Sequence, residues 1–312
     1  MKVVALAGGV GAGKFLRGLT RAVPPSDVTA IVNTGDDVWI SGLRVCPDLD
    51  SVTYWLADVA DRDRGWGRRD ESFRMLGELR RLDREGAWFG LGDLDLATHL
   101  LRTRLLGEGH PLSEVTAQIV ERFGVSTRLL PMTDQPVETR IGVVADGRSL
   151  DLHFQEYWVR RQGRDDVKAI RFEGAAAAAP APDVLEAIAA ADAIVLCPSN
   201  PVVSIGPILA IPGLRDAVAG RPVVGVSPIV GGRPLAGMAD RLMPVVGLEV
   251  SAVGAGLAYA DLLDAWVIDE ADRRLLDRAR DELRVPVAVT DTVMVDDGVA
   301  EALARTALEV LP

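Results

Sequence analysis

Short apolar runs that stop at clusters of Gly, Ser, Asn or Asp recur along the chain, and they predict buried strands ending in polar loops. Val3 to Ala7 is continuously apolar and runs into glycines, the pattern of a buried parallel strand followed by a tight turn. Lys14 to Ala22 predicts a short helix closed by Pro24-Pro25. Val28 to Val32 predicts a second strand, ending in Asn33-Thr34-Gly35-Asp36-Asp37. Strand, glycine loop, helix and strand make one βαβ unit. Its right-handed crossover places the glycine loop at the carboxyl edge of the sheet. Val184 to Ala190 reads as helix, and Ala193–Leu196, Pro222–Val226, Trp266–Ile268 and Val287–Val289 read as further strands, with a helix over Ala271–Leu283. The expected architecture is α/β, a Rossmann-like, mostly parallel sheet within a single domain, 1–312.

The middle of the chain changes period. Asp50–Asp61, Glu71–Glu85, Asp93–Leu106 and Leu112–Phe123 predict helices, a largely helical insertion at about 50–125 over the carboxyl edge. Thr139–Ala145 and Ser149–Tyr157 flank Asp146-Gly147, which predicts a β-hairpin at about 139–157. The alanine-rich stretch after Glu173 reads as a surface connection. The apolar C-terminal helix, Val299–Leu311, is expected to pack on the sheet or to form a dimer face.

Composition narrows the class. With 312 residues, 48% of them hydrophobic, a substantial core is available. A net charge of −11 argues against a nucleic-acid or membrane-surface partner, because phosphates are repelled at long range. Arg62, Arg64, Arg68 and Arg69 form one local basic cluster, read either as a pocket or as a solvated loop. The two cysteines, Cys46 and Cys197, sit among apolar neighbours without metal-type spacing, which fits reduced thiols and a cytoplasmic location. The N-terminal apolar run is too short for a signal peptide or a membrane span.

Candidate chemistry lies after the strands. In Gly8-Gly9-Val10-Gly11-Ala12-Gly13-Lys14-Phe15 the Walker A spacing is imitated, but Phe15 stands where Ser or Thr would hold magnesium. The dinucleotide fingerprint fits no better, since its third glycine falls on Lys14. What remains is a helix start with unhindered backbone N–H groups, suited to a phosphate or diphosphate. In the second loop, Asn33, Asp36 and Asp37, followed by Asp48 and Asp50, point to a divalent cation such as magnesium, with Asp36 and Asp50 as the chosen ligands. Helix capping is the alternative for Asp48 or Asp50. The third loop brings Ser199, Asn200 and Pro201, and the fourth Ser227 and Gly231. Either can line a nucleotide or serve only as a turn. Trp39, Trp66 and Trp88 are candidates for stacking on a flat ring or for core packing.

Taken in order, VNTGDDVWISGLRVCPDLD, GWG, FGLGDLDLATH, LLPMTD, HFQEYWV, PSNPVVSIGPIL and VSPIVGG resemble the 2-phospho-L-lactate transferases of coenzyme F-420 biosynthesis, from Lys2 to about Asp291. The resemblance implies transfer of a phosphoryl-linked three-carbon acid (phospholactate, phosphoenolpyruvate or phosphoglycerate moiety) from its guanosine diphospho-activated form to the deazaflavin Fo. GMP leaves, Mg2+ is required, and the enzyme is expected to be a homodimer. Residue by residue it implies Asp36 and Asp50 at magnesium and the Fo hydroxyl, and Gly9 and Gly11 at the nucleotide. Lys14 stands where some members carry arginine, keeping the charge but losing bidentate geometry. Ser199, Asn200, Pro201, Ser227 and Gly231 fall on the guanosine side, and Gly90, Asp93 and His99 on the deazaflavin side. Leu94 stands where the family often carries arginine, which leaves one phosphate or ring contact without its usual residue. Two other readings compete: a non-enzymatic sugar-nucleotide-binding regulator of the gluconeogenesis-factor type, and a nicotinamide dehydrogenase, which the fingerprint mismatch disfavours.

Overall fold

In the computed structural model, which describes residues 1–83 and 85–312, seven strands form one parallel sheet. In chain order they are β1 (Val3–Ala7), β2 (Val28–Val32), β3 (Arg128–Pro131), β4 (Ala193–Leu196), β5 (Val223–Val226), β6 (Ala265–Asp269) and β7 (Val287–Thr290). Their spatial order is 3-2-1-4-5-6-7, and every neighbouring pair is parallel. The order reverses between β1 and β4, where Val3 pairs with Ala193 and Leu6 with Leu196. Chains leaving these two strands diverge to opposite sides, which opens a crevice at their carboxyl ends.

The strands are mostly apolar because both faces of the sheet are covered. Val4, Leu6, Ile31, Ile194 and Leu196 face one layer, which contains helices Val184–Ala190, Leu214–Ala219 and Ala252–Leu257. Val3, Ala5, Ala7, Ala30 and Val195 face the other. There lie α1 (Val10–Ala22), α2 (Pro47–Leu56) and the C-terminal helix Asp297–Glu309. This C-terminal helix buries Ala300, Leu303, Ala304 and Ala307 in that layer, so it packs on the sheet. Phe15 is fully buried there too, which accounts for an apolar residue at a position where a metal-binding hydroxyl would be useless. Burying a side chain of this kind contributes about 1.5–3 kcal/mol.

Between β2 and β3 the chain forms a small hairpin, Val38–Ile40 with Leu43–Val45, and then the helices α2, α3 (Arg74–Leu82), α4 (Asp93–Gly107) and α5 (Leu112–Arg122). Arg84, within the helix expected over Glu71–Glu85, lies outside the described residues; the helix itself ends at Leu82.

Several expectations change. Helix α1 begins at Val10, not Lys14, so the glycine loop is itself the first helical turn. The hairpin becomes a three-stranded antiparallel sheet, because Asp166–Glu173 pairs along the open side of Glu138–Ala145. Its second strand stops at His153, and Glu156–Arg160 coil into a π-helical turn. The helix over 271–283 starts as a 3-10 segment, Glu270–Leu275. Both cysteines are buried and free. Among the described residues no helix is long and apolar enough to cross a membrane.

Candidate functional site

The crevice at the switch point opens into a cavity of about 850 Å3. Its walls come from the loops after β1, β2, β4, β5 and β7 and from the insertion. Gly9, Gly11 and Lys14 line one side, Asp36, Asp48 and Asp50 the next, and Ser199 and Asn200 the third. Ser227 and residues 292–295 close the far end, and Gly65 to Gly67, Phe89, Gly90, Asp95 and His99 descend from the insertion.

The β1 and β4 loops touch. The Gly8 N–H donates to Ser199 Oγ at 3.3 Å. A Cβ at Gly11 would stand 2.5 Å from the Pro198 carbonyl oxygen, so only glycine lets α1 start this close to the β4 loop. Among the described residues no side chain caps α1, and its first turn carries no acidic residue. The free N–H groups and the positive end of the helix dipole therefore face the cavity beside Lys14, an arrangement that holds phosphate oxygens.

Opposite them is a buried carboxylate cluster. Asp36, Asp37, Asp48 and Asp50 are all less than a tenth exposed. Burial pushes Asp36 well above the usual carboxylate range, and the charges of Asp48 and Asp37 push it further. Burial raises Asp48 to about 7, against a hydrogen bond from Asn33 Nδ2 at 2.9 Å. It raises Asp37 to about 6, against the pull of Arg44 at 3.5 Å. Asp36 Oδ1 is buried and has no hydrogen-bond partner among the described residues. A buried, unsatisfied carboxylate oxygen beside a second carboxylate fits a bound cation. Among the described residues no three His, Cys, Asp or Glu side chains converge on one point, so substrate oxygens and water would complete the shell.

Asp50 has a different environment. Arg102 on α4 grips it: Nη1 donates to Oδ2 at 3.0 Å and Nη2 to Oδ1. His99, one turn earlier, places Nδ1 3.6 Å from Asp50 Oδ2 and Nε2 3.3 Å from Asp95 Oδ2. The Tyr54 hydroxyl donates to Asp95 Oδ1 at 2.5 Å. Burial would raise Asp95, but His99, Tyr54 and Arg102 hold it below the usual range. Arg102, Asp95 and Tyr54 did not stand out in the sequence. Asp95 and His99 are four apart on one helix face, a spacing that signals the contact.

Other candidate residues are placed as follows. Gly90 and His99 line the cavity, and Asp93 does not. Asp93 instead accepts from Ser72 Oγ at 2.5 Å and from the Arg74 and Met75 N–H groups at 3.1 and 3.0 Å, capping α3. Leu94 also lies outside the lining; its carbonyl accepts from Arg68 at 3.2 Å. Asn33 stands behind the cavity and braces Asp48 and the Gly35 N–H. Pro201 opens a π-helical turn capped by Asn200 Oδ1, away from the cavity surface. Gly231 lies off the lining as well, with its N–H on Asp272. Trp66 lines the cavity, Trp88 packs edge-on against Phe89, and Trp39 is more than half exposed outside it. Of the basic cluster, Arg64 alone reaches the lining; Arg62 pairs with Asp58 and Asp297.

An uncapped helix N-terminus at the switch point of a parallel sheet, faced by a carboxylate cluster across one cavity, is the arrangement of an α/β enzyme. The chain belongs to the 2-phospho-L-lactate transferase CofD family, whose model matches residues 3–308, and it is a transferase. It is 48% identical over 312 residues to a phosphoenolpyruvate transferase of Streptomyces griseus, covering 99% of this chain and 98% of that protein. A phosphoenolpyruvate transferase of Mycobacterium avium is 41% identical, with 97% and 98% covered. The fold is shared with a UPF0052 family protein of Bacillus halodurans, at a TM-score of 0.64 and 18% identity over 98% of both chains.

Proposed function

We propose that the protein transfers a phosphoryl-linked three-carbon acid from its guanosine diphospho-activated form to the primary hydroxyl of the deazaflavin Fo, releasing GMP. The observation that carries this reading is the meeting of the α1 N-terminus and the buried acids of the β2–α2 segment across one cavity. Enolpyruvate is the acid we favour, because the curated relatives above are named phosphoenolpyruvate transferases. In this reading the Fo oxygen bonds to the phosphorus that carries the acid. The bond from that phosphorus to the bridging oxygen breaks, and the hydroxyl proton is released.

Gly9, Gly11 and Lys14 would hold the diphosphate, and Ser199, Asn200 and Ser227 the guanosine side. Asp36 and Asp48 would hold magnesium, because Asp36 feels the charge of Asp48 and has a free oxygen. When bound, the ion neutralises diphosphate charge. Asp50 was expected to be a ligand as well, but both its oxygens are engaged by Arg102. We place it at the acceptor hydroxyl, oriented by Arg102 and His99, with Gly90 and Trp66 along the deazaflavin. We take the working unit to be a cytoplasmic homodimer, as the family resemblance implies.

The test is direct. Protein, Fo, Mg2+ and guanosine diphospho-enolpyruvate should give GMP and a new phosphodiester on Fo in equal amounts. Absence of GMP with the enolpyruvyl, lactyl and glyceryl donors alike would refute the reading.

A further inference from the structure

Beside Lys14 the cavity wall gives onto a small recess of about 50 Å3, lined by Lys14, Trp55, Arg62 and residues 294–297. Lys14, Met294 and Val295 line both spaces. The volume is roughly that of one or two waters, at ~30 Å3 each, and a carboxylate fits it equally.

Two side chains of its lining, Trp55 and Lys14, have no hydrogen-bond or ion-pair partner among the described residues. The Trp55 side chain is 5% exposed, and its indole N–H has no hydrogen-bond partner among the described residues. A buried donor without an acceptor is costly unless something supplies one. Lys14 holds its ammonium 5.4 Å from the centre of the Trp55 ring. The other charges around the recess are accounted for. Arg62 binds Asp58 and Asp297, Arg17 also binds Asp297, and Asp296 caps the C-terminal helix through the Gly298 and Val299 N–H groups.

The indole cannot turn away to find another partner. A Cβ at Gly13 would lie 2.8–2.9 Å from Trp55 Cδ1, Cβ and Cγ, so α1 presses directly on it. Arg17 Nη1 donates to the Trp55 carbonyl at 2.9 Å and fixes the backbone beneath.

We propose that this recess is an oxyanion subsite that takes the carboxylate of the donor's three-carbon acid, held by the Trp55 indole N–H and the Lys14 ammonium. The proposal rests on the donor assigned above. The acid is bonded to the phosphate next to the α1 N-terminus, and Lys14 belongs to the first turns of that helix. GDP has no such carboxylate, so the recess separates the loaded donor from the plain nucleotide.

Trp55→Phe keeps the ring and removes only the donor. It should raise the KM for guanosine diphospho-enolpyruvate about tenfold, the loss expected for one hydrogen bond to a charged group, while the Kd for GDP stays within about twofold. An unchanged donor KM, or equal weakening of GDP, overturns the proposal. A second arm needs no turnover. In protein labelled with 15N at the indoles and saturated with GDP and Mg2+, the signal missing from Trp55→Phe identifies Trp55. Pyruvate should shift it saturably, and the shift should vanish in Lys14→Met. A signal unmoved by pyruvate, or moved equally in Lys14→Met, counts against the subsite. If wild-type protein transfers nothing yet this signal responds, the donor assignment fails and the oxyanion site stands.

Discussion

Replacing Arg102 by methionine leaves Asp50 as a buried carboxylate without its partner. The two side chains are 2% and 7% exposed, and the pair is bidentate. Removing one member of such a pair costs about 3–5 kcal/mol, mostly the desolvation of the charge left behind. Unfolding entropy is about 2.1 cal/mol/K per residue, or roughly 0.65 kcal/mol/K over 312 residues. The variant should therefore melt about 5–8 °C below the wild type. Asp50→Asn on its own leaves a buried guanidinium short of its counter-charge and should also destabilise. The double variant Arg102→Met with Asp50→Asn removes both charges and should recover at least about 2 kcal/mol of the summed losses. Thermal and urea melts of the four proteins measure this. Losses that add to within about 0.5 kcal/mol would show that the pair does not act as a unit, and the account of Asp50 given above would be wrong.

Further tests address the rest of the site. Folding raises Asp48 from the usual 3.8 to about 7, so between these pH values the folded state holds the extra proton. Stability is then lost as pH rises across that window, and Asp48→Asn should gain on the wild type between pH 4 and 7 without added cation; parallel curves would contradict this. Saturating Mg2+ should shrink that difference, and EDTA should stop GMP release. Gly11→Ala drives a methyl group onto the Pro198 carbonyl and should weaken GDP at least about tenfold by calorimetry, since the cavity-facing turn must shift. Asp93→Ala removes a helix cap and should lower the melting temperature, with the Fo KM unchanged; a raised KM would return Asp93 to the deazaflavin side.

The parallel sheet was legible because each of its strands is short, apolar on both faces and followed by turn residues. The exceptions are informative. Strand β3 follows a helical stretch and opens on an exposed arginine, so it lacks a clean apolar run. Asp166–Glu173 is a surface strand with alternating exposed charges, and nothing local shows that it pairs with a strand more than twenty residues earlier. Asp36 and the glycine loop could be found because each directly follows an apolar strand, in a local run of Gly, Asn or Asp. Arg102 could not. In LLRTRLL it looks like a solvated helix position, and its partner lies 52 residues away on another helix. Asp93 and Asp95 look alike in the sequence. They stand two positions apart on α4, where Asp93 faces Ser72 at the surface and Asp95 faces His99 in the cavity.

The reversal of strand order between β1 and β4 also governs how the chain can assemble. Lys2, at the very start, donates its N–H to Asp192, 190 residues later. During synthesis β1 can pair with β2 almost at once, but its other edge has no partner until β4 emerges. At about 5–20 residues per second that is a delay of roughly 10–40 s. Throughout it, an apolar edge bearing the glycine loop is open to the wrong strand. Yield in the cell should thus depend on chaperone supply and growth temperature more steeply than the stability of the finished protein would indicate.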